Sequence, residues 1–287
     1  MALRINTNVA AINAHRQLLG TESKMNVSME KLSSGYRINR ASDDAAGLAI
    51  ANRLRTNVRS LTVASRNVTE GKALLQIAEG STSQIENILE RMKELATQAA
   101  SANTSAGADG DKAKLQAEFS KLIDEIDRIV DDTKYQGTKL LDGNFAGTFQ
   151  VGASSVADGG GASQINIAIR IGSSGTTGLS AANLGVNTLN ISTAAGADTA
   201  LGAIDDAIDD LAQVLGDIGA GMNRLDYTYS NLQVSIENFS AAESAIRDVD
   251  MASEMVTFTK TQILMQAGTA MLSQANMASQ NVLSLFQ

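Results

Sequence analysis

Between residues 201 and 239 the apolar positions fall at Leu201, Ile204, Ile208, Leu211, Leu215, Ile218, Met222, Leu225, Tyr229, Leu232, Ile236 and Phe239. Steps of three and four that never break predict a long helix with one apolar seam. Burying such side chains stabilises by roughly 1.5–3 kcal/mol each, while ordering the backbone costs about 1–2 kcal/mol for every residue, seam or not. A helix of this kind needs partners.

The rest of the chain supplies them. From Ile5 to Leu32 the pattern is helical but imperfect, with Ile5, Val9, Ile12, Leu18, Met25, Met29 and Leu32. A polar break carrying Gly35 follows, with a helix-start signal at Ser42 or Asp43. A second seam runs through Gly47, Ala51, Leu54, Val58, Leu61, Ser65 and Val68, and a third through Leu74, Ala78, Ser81, Ile85, Ile88, Met92, Leu95 and Ala99. These two meet near Gly71, where the spacing slips like a coiled-coil stutter. As one helix they would extend about 80 Å at 1.5 Å per residue. After a small-residue loop at 102–110, a third helix turns Leu115, Phe119, Leu122, Ile126 and Ile129 inward. A bundle is the natural way to bury these stripes together.

The middle changes period. Leu140-Leu-Asp-Gly reads as a turn with a flanking strand, Thr148-Phe-Gln-Val alternates, and Ile165, Ile167, Ile169 and Ile171 share one face of a strand. The Gly-, Ser- and Thr-rich stretches 156–163 and 172–182 read as surface loops. The last segment, 251–287, carries a further seam at Leu264, Gly268, Met271, Ala275, Ala278, Val282 and Leu285, and its only charged side chains are Glu254 and Lys260. Five of the ten methionines lie there, where a flexible thioether adapts to varied neighbours. A helix so poor in charge is expected to pair with the amphipathic N-terminus and then with further copies of the chain. The fold class is therefore mainly α, a long-helix coiled-coil bundle with a small β-hairpin region and domains built from both chain ends.

Composition sharpens this picture. The 287 residues contain no Pro, Cys or Trp, and only 3% are aromatic. Proline removes a backbone donor and clashes with the preceding turn, so its absence suits very long helices. A formal net charge of −8 argues against nucleic acid or an anionic membrane as partner. The N-terminus has no basic region followed by an apolar one, and no run of about 18 apolar residues occurs, so neither a cleaved secretory signal nor a membrane span is expected.

Catalytic hardware is sparse. His15 is the single histidine and there is no thiol, which leaves no ordinary zinc or nucleophile constellation; a helix-surface or packing role suits His15 better. The acidic run Asp205-Asp-Ala-Ile-Asp-Asp lies on the solvent side of the Ile204–Ile208–Leu211 seam, near a helix start that favours negative charge, and reads as a solvated face. No phosphate-cradling glycine loop leads into a Lys-Ser/Thr pair. Neither a metal nor a cofactor is expected, and no enzyme activity.

Specific motifs stand at both ends: Leu3-Arg-Ile-Asn-Thr-Asn-Val-Ala-Ala-Ile-Asn, Leu32-Ser-Ser-Gly-Tyr-Arg-Ile-Asn-Arg-Ala-Ser-Asp-Asp-Ala-Ala-Gly-Leu, Ile88-Leu-Glu-Arg-Met-Lys-Glu-Leu-Ala-Thr-Gln, Ala245-Ile-Arg-Asp-Val-Asp and Asn281-Val-Leu-Ser-Leu. Through them the chain resembles bacterial flagellin over roughly residues 1–152 and 188–287. The resemblance implies a terminal coiled coil from 1–42 with 251–287 (D0-like), a helical bundle with a β-hairpin from 43–152 with 195–250 (D1-like), and a short variable outer segment, 153–194. It implies a subunit exported through the flagellar type III route without a cleaved signal peptide. Outside the cell, such a subunit self-polymerises into the filament used for swimming motility.

By the same resemblance Ile5, Val9, Ile12, Leu264, Met271, Val282 and Leu285 form a terminal assembly seam, and Arg91, Met92, Glu94, Leu95 and Gln98 form a patch for filament contact or recognition by Toll-like receptor 5. A flagellar export chaperone and the filament cap are implied partners. The sequence departs from many relatives at Ser279 and Phe286. Three alternatives share parts of this pattern: a hook–filament junction protein, a soluble coiled-coil adaptor or type III translocator, and, last, an enzyme.

Overall fold

The computed structural model describes residues 8–101, 110–153, 163–171 and 177–284, with backbone alone for 278–284. Its helices are α1 (Val9–Ser34), α2 (Ala45–Ala100), α3 (Asp111–Asp132), α4 (Ala194–Arg247) and α5 (Met251–Ser284). Between α3 and α4 come β1 (Lys134–Tyr135), β2 (Thr138–Lys139), β3 (Ala146–Gln150) and β4 (Gln164–Ala168). The mainly helical class read from the sequence is the class observed, and α2 and α4 are single helices of 56 and 54 residues.

Side chains fix where the helices begin. Asn8 caps α1 by accepting from the Ala11 N–H at 3.0 Å, and Gly35 ends it in the left-handed conformation at φ +75°, its N–H on the Lys31 carbonyl at 2.9 Å. The cap of α2 is neither Ser42 nor Asp43 but Asp44, which accepts from the Gly47 N–H at 2.8 Å. Asp43 is engaged one turn earlier, accepting from the Asn39 and Arg40 N–H groups at 3.0 and 2.9 Å. Thr193 caps α4 through the Gly196 N–H, and Asp250 caps α5 through the Ala252 and Ser253 N–H groups.

The chain forms two units, Met1–Val58 with Glu237–Gln287, and Arg59–Ile236. In the first, α1 and α5 lie antiparallel. The α1 face turned inward is Ala11, Ala14, Leu18, Thr21, Met25, Ser28 and Leu32; that of α5 is Glu254, Phe258, Thr261, Met265, Gly268, Leu272 and Ala275. Both alternate steps of three and four, the spacing of a coiled-coil seam. Asn8 Nδ2 donates to the Ala275 carbonyl at 2.9 Å, and the Ser28 hydroxyl donates to Glu254 at the opposite end. Where the chain leaves α1 and enters α5, the Arg37 N–H meets the Arg247 carbonyl at 2.7 Å and the Val249 N–H meets the Gly35 carbonyl at 3.0 Å. The Arg247 guanidinium lies 4.1 Å over the Tyr36 ring.

In the second unit, α2 and α4 run antiparallel in a fixed register. Ser65 accepts from Gln233 at 3.0 Å, Lys72 pairs with Asp226 at 2.6 Å, and Lys93 pairs with Asp205 at 2.5 Å. Each advance along α2, from 65 to 72 and from 72 to 93, is matched by an equal retreat along α4, and both intervals are whole heptads. The core holds Leu75, Ile85, Leu89, Met92 and Leu95 of α2, Phe119 and Ile126 of α3, and Ile204, Leu211, Ile218 and Leu225 of α4.

The seams differ in detail from expectation. Thr82 and Leu89 are buried in place of Ser81 and Ile88, while in α4 the buried positions include Ala207, Val214 and Gly221, with Ile208, Leu215 and Met222 at the rim and Tyr229 exposed. Close approach explains the choice: a Cβ on Gly221 would stand 3.3 Å from Ile167 Cδ1 and 3.4 Å from Leu75 Cδ1.

The middle is more closely packed than its composition suggests. β1 and β2 form a hairpin whose turn residues Gln136 and Gly137 both have positive φ, 48° and 85°. β3 pairs antiparallel with β4 from Ala146↔Ala168 to Gln150↔Gln164. Ile165, Ile167 and Ile169 are buried as the alternation predicts, whereas the strand ends at Ala168 and Ile171 is only half-buried. The described part of the 172–182 stretch, 177–182, is not a surface loop: Leu179 and Ala181 are buried, as are Leu184, Val186 and Ile191 just beyond it. Asp127 accepts from the Ala181 N–H at 2.8 Å and Gln116 from the Ile191 N–H at 2.6 Å, fastening this segment to α3. Gly178 is required there, because a Cβ would stand 2.4 Å from the Asp142 carbonyl carbon.

Candidate assembly surface

Outside the stripe by which they pair, α1 and α5 keep large apolar side chains exposed. Val9, Ile12, Leu264 and Met271, expected within the terminal seam, all lie exposed, away from the α1–α5 contact. The pairing stripe instead combines small residues, Ala11, Ala14, Gly268 and Ala275, with large ones, Leu18, Phe258 and Leu272; Leu18 Cδ1 lies 3.0 Å from where a Cβ on Gly268 would stand. Gly268 lets that stripe approach closely at Leu18, and the other apolar stripe is left facing outward. Ile5, Leu285 and the side chain of Val282 lie outside the described residues, as do the side chains at 279 and 286.

Five large apolar residues that the pattern did not single out for assembly join this exposed set. On α5 these are Val256, 70% exposed, Ile263, Met251, Met255 and Met277. The signal was present in the sequence: α5 carries apolar residues on every face, and from 251 onward only Glu254 and Lys260 bring charge. Glu254 is turned toward Ser28, so Lys260 is the one charge outside the pairing stripe among the described residues of α5. A surface helix whose outer face is apolar and carries a single charge marks an interaction surface.

The five residues assigned to the contact patch on α2 are not one surface. Arg91, Glu94 and Gln98 are exposed, but Met92 and Leu95 are fully buried in the core of the second unit. Helical geometry separates them: 92, 95 and 99 continue the inward stripe, whereas 91, 94 and 98 lie on the adjoining face, about a quarter-turn round the helix. Arg91 ties the neighbouring elements together, donating to Glu94 at 2.7 Å and to Glu118 of α3 at 3.0 Å. The hydrogen bonds it donates to these two carboxylates, Glu94 first, hold its pKa above the usual arginine value.

Neither site considered for chemistry gains a partner set. His15 is exposed on α1. In the 205–210 run Asp205 is taken up by Lys93. Among the described residues no group of three or more His, Asp or Glu side chains is placed to hold a metal ion, and no helix is long and apolar enough to cross a membrane.

Comparison with known proteins adds an independent line. Residues 5–146 match the family model for the bacterial flagellin N-terminal helical region, and residues 201–286 match that for the C-terminal helical region. The chain is 42% identical to a flagellin of Bacillus subtilis (strain 168), covering 99% of this chain and 100% of the relative. It is also 42% identical to the flagellar filament 33 kDa core protein of Treponema phagedenis, with 99% of each covered. Among solved structures, one described as a flagellar hook-associated protein from Vibrio parahaemolyticus superposes with a TM-score of 0.53 at 17% identity, covering 72% of this chain and all of that one. At that identity the likeness is one of fold.

Proposed function

We propose, from the premise that this chain belongs to the bacterial flagellin family, that it is the structural subunit of a flagellar filament and polymerises through the outward faces of α1 and α5. The observation that carries this reading is the apolar outer surface of the terminal pair, where Val9, Ile12, Leu264 and Met271 stand exposed in the single chain. Repeated head-to-tail burial of such a surface extends into a helical tube rather than a closed oligomer. Each chain added covers apolar area at roughly 25 cal/mol per Å² before the costs of association.

In this reading the terminal segments, 1–42 with 251–287, line the tube. The bundle of 43–152 with 195–250, against which 164–169 and 179–191 pack, forms the layer around them. The subunit leaves the cell by the flagellar type III route without a cleaved signal, attended by an export chaperone and added beneath the filament cap. Export as an unpaired chain followed by helix pairing on arrival couples folding to polymerisation. Arg91, Glu94 and Gln98 form the accessible part of any surface offered to Toll-like receptor 5, and Met92 and Leu95 support it from the core.

The test is seeded growth. Protein dissociated to monomer and mixed with short seeds in neutral salt should give micrometre-long tubes by negative-stain electron microscopy. Discrete particles or short rings under all such conditions would overturn the reading.

A further inference from the structure

The methionines are distributed unevenly. Met251, Met255, Met271 and Met277 of α5 and Met29 of α1 are 48–64% exposed, whereas Met92 in the core of the second unit is 0% exposed. The chain holds no Cys and no Trp, which leaves the methionine thioether as its most readily oxidised group. All five exposed sulfurs belong to the terminal pair, on the faces assigned above to assembly.

We infer that Met29, Met251, Met255, Met271 and Met277 are a reversible oxidation site through which peroxide controls the ability of the free subunit to polymerise. The thioether sulfur attacks one oxygen of hydrogen peroxide, the O–O bond breaks, the sulfur is oxidised to the sulfoxide, and the other oxygen leaves as water. A methionine sulfoxide reductase, with a thiol as reductant, reverses the change. The sulfoxide is a strong hydrogen-bond acceptor on what had been an apolar side chain, so a face suited to burial becomes one that holds water. With Lys260 as the only charge on the outer side of α5 among the described residues, little else on that face offsets the change. Once the subunits are packed the same sulfurs are covered, so sensitivity belongs to the unassembled chain. This control of growth rests on the assembly reading, while the order of oxidation rests on exposure alone.

The experiment treats monomer with hydrogen peroxide, maps sulfoxides by peptide mass spectrometry through time, and then measures seeded growth before and after methionine sulfoxide reductase. Oxidation at the five exposed positions should precede oxidation at Met92 by at least tenfold in rate, growth should fall at least tenfold, and the reductase should restore it. In a M29L/M251L/M255L/M271L/M277L chain, which lacks all five exposed thioethers, peroxide should leave growth at the level the untreated variant shows. Oxidation of Met92 as fast as the rest, unchanged growth with sulfoxides in place, or loss that the reductase does not reverse would overturn the inference. Failure of untreated wild-type chain to extend seeds would instead strike the assembly reading, and the oxidation order would still be decided by the mapping.

Discussion

Leu18 of α1 sits directly over Gly268 of α5, its Cδ1 3.0 Å from the point where a β-carbon would begin. The leucine enters a hole that glycine leaves open, near the middle of the contact between the two helices. Gly268→Ala is expected to be nearly neutral, because the flexible δ-methyl can shift a few tenths of an ångström and alanine improves helix propensity by about 1 kcal/mol. Gly268→Leu should separate α1 from α5. Amide hydrogen exchange over Val9–Ser34 should rise in the leucine variant and stay near wild type in the alanine variant.

Met271 is 64% exposed. Met271→Lys should therefore change the stability of the single chain by no more than about 0.5 kcal/mol, yet stop seeded filament growth by placing a charge on a face meant for burial. Circular dichroism and electron microscopy of the same sample give both readings. Wholesale loss of helix in the variant would contradict the assignment.

The neighbouring residues Arg91 and Met92 should part company on substitution. Met92→Ala empties a fully buried site and is expected to cost about 2–5 kcal/mol in denaturant unfolding. Arg91→Ala removes exposed ion pairs to Glu94 and Glu118 and should leave the midpoint almost unchanged. Any receptor binding lost in the arginine variant would then be a contact effect.

Gly71 is covered by the Phe149 ring, and a Cβ there would stand 2.8 Å from Phe149 Cε1. The half-buried ring is carried by β3 and must shift to admit a methyl, so Gly71→Ala should destabilise the second unit by about 1–3 kcal/mol through overpacking. Phe149→Leu in the same background should recover part of that loss, since it removes the obstruction. Thermal unfolding of the single and double variants tests the coupling.

Asp43 is held below the ordinary aspartate range, chiefly by the Arg40 N–H and then by the Asn39 N–H. A depressed folded pKa means its contribution is fully present above the unfolded value, about 3.9, and is lost as pH falls through the lower folded value. Asp43→Asn should flatten that part of the acid unfolding curve and leave stability at neutral pH less dependent on the 39–43 turn. The comparison is a pH series of unfolding midpoints.

The elements were legible because nothing in the chain interrupts them: no proline intervenes, and three- and four-residue steps continue across α2 and α4. What the steps do not determine is which of two adjacent stripes turns inward. Ile208 and Ala207, or Met271 and Leu272, satisfy the same period, and the choice falls to how closely the neighbouring backbone can come, as at Gly221 and Gly268. The contact patch divides for the same reason, since motif similarity carries residues in sequence order while a helix leaves 91 exposed and turns 92 into the core. The segment 179–191 was hidden by its small and polar composition. Its burial depends on Asp127 and Gln116, more than fifty residues away in sequence, receiving its backbone N–H groups.

The antiparallel pairing of α1 and α5 also decides how the chain bears load. Asn8 lies at Ala275 and Ser28 at Glu254, so both termini leave the pair from the same end. A pull that drew those ends apart would open the helices like a zipper, straining one or two rungs at a time, with resistance rising only at the doubled backbone bridge between Gly35–Arg37 and Arg247–Val249. A pull directed along the axis, one helix against the other, would shear every rung at once. The weak direction is closed when neighbouring molecules hold the ends together, so a single chain is easily unzipped while a packed one meets force along its strong axis.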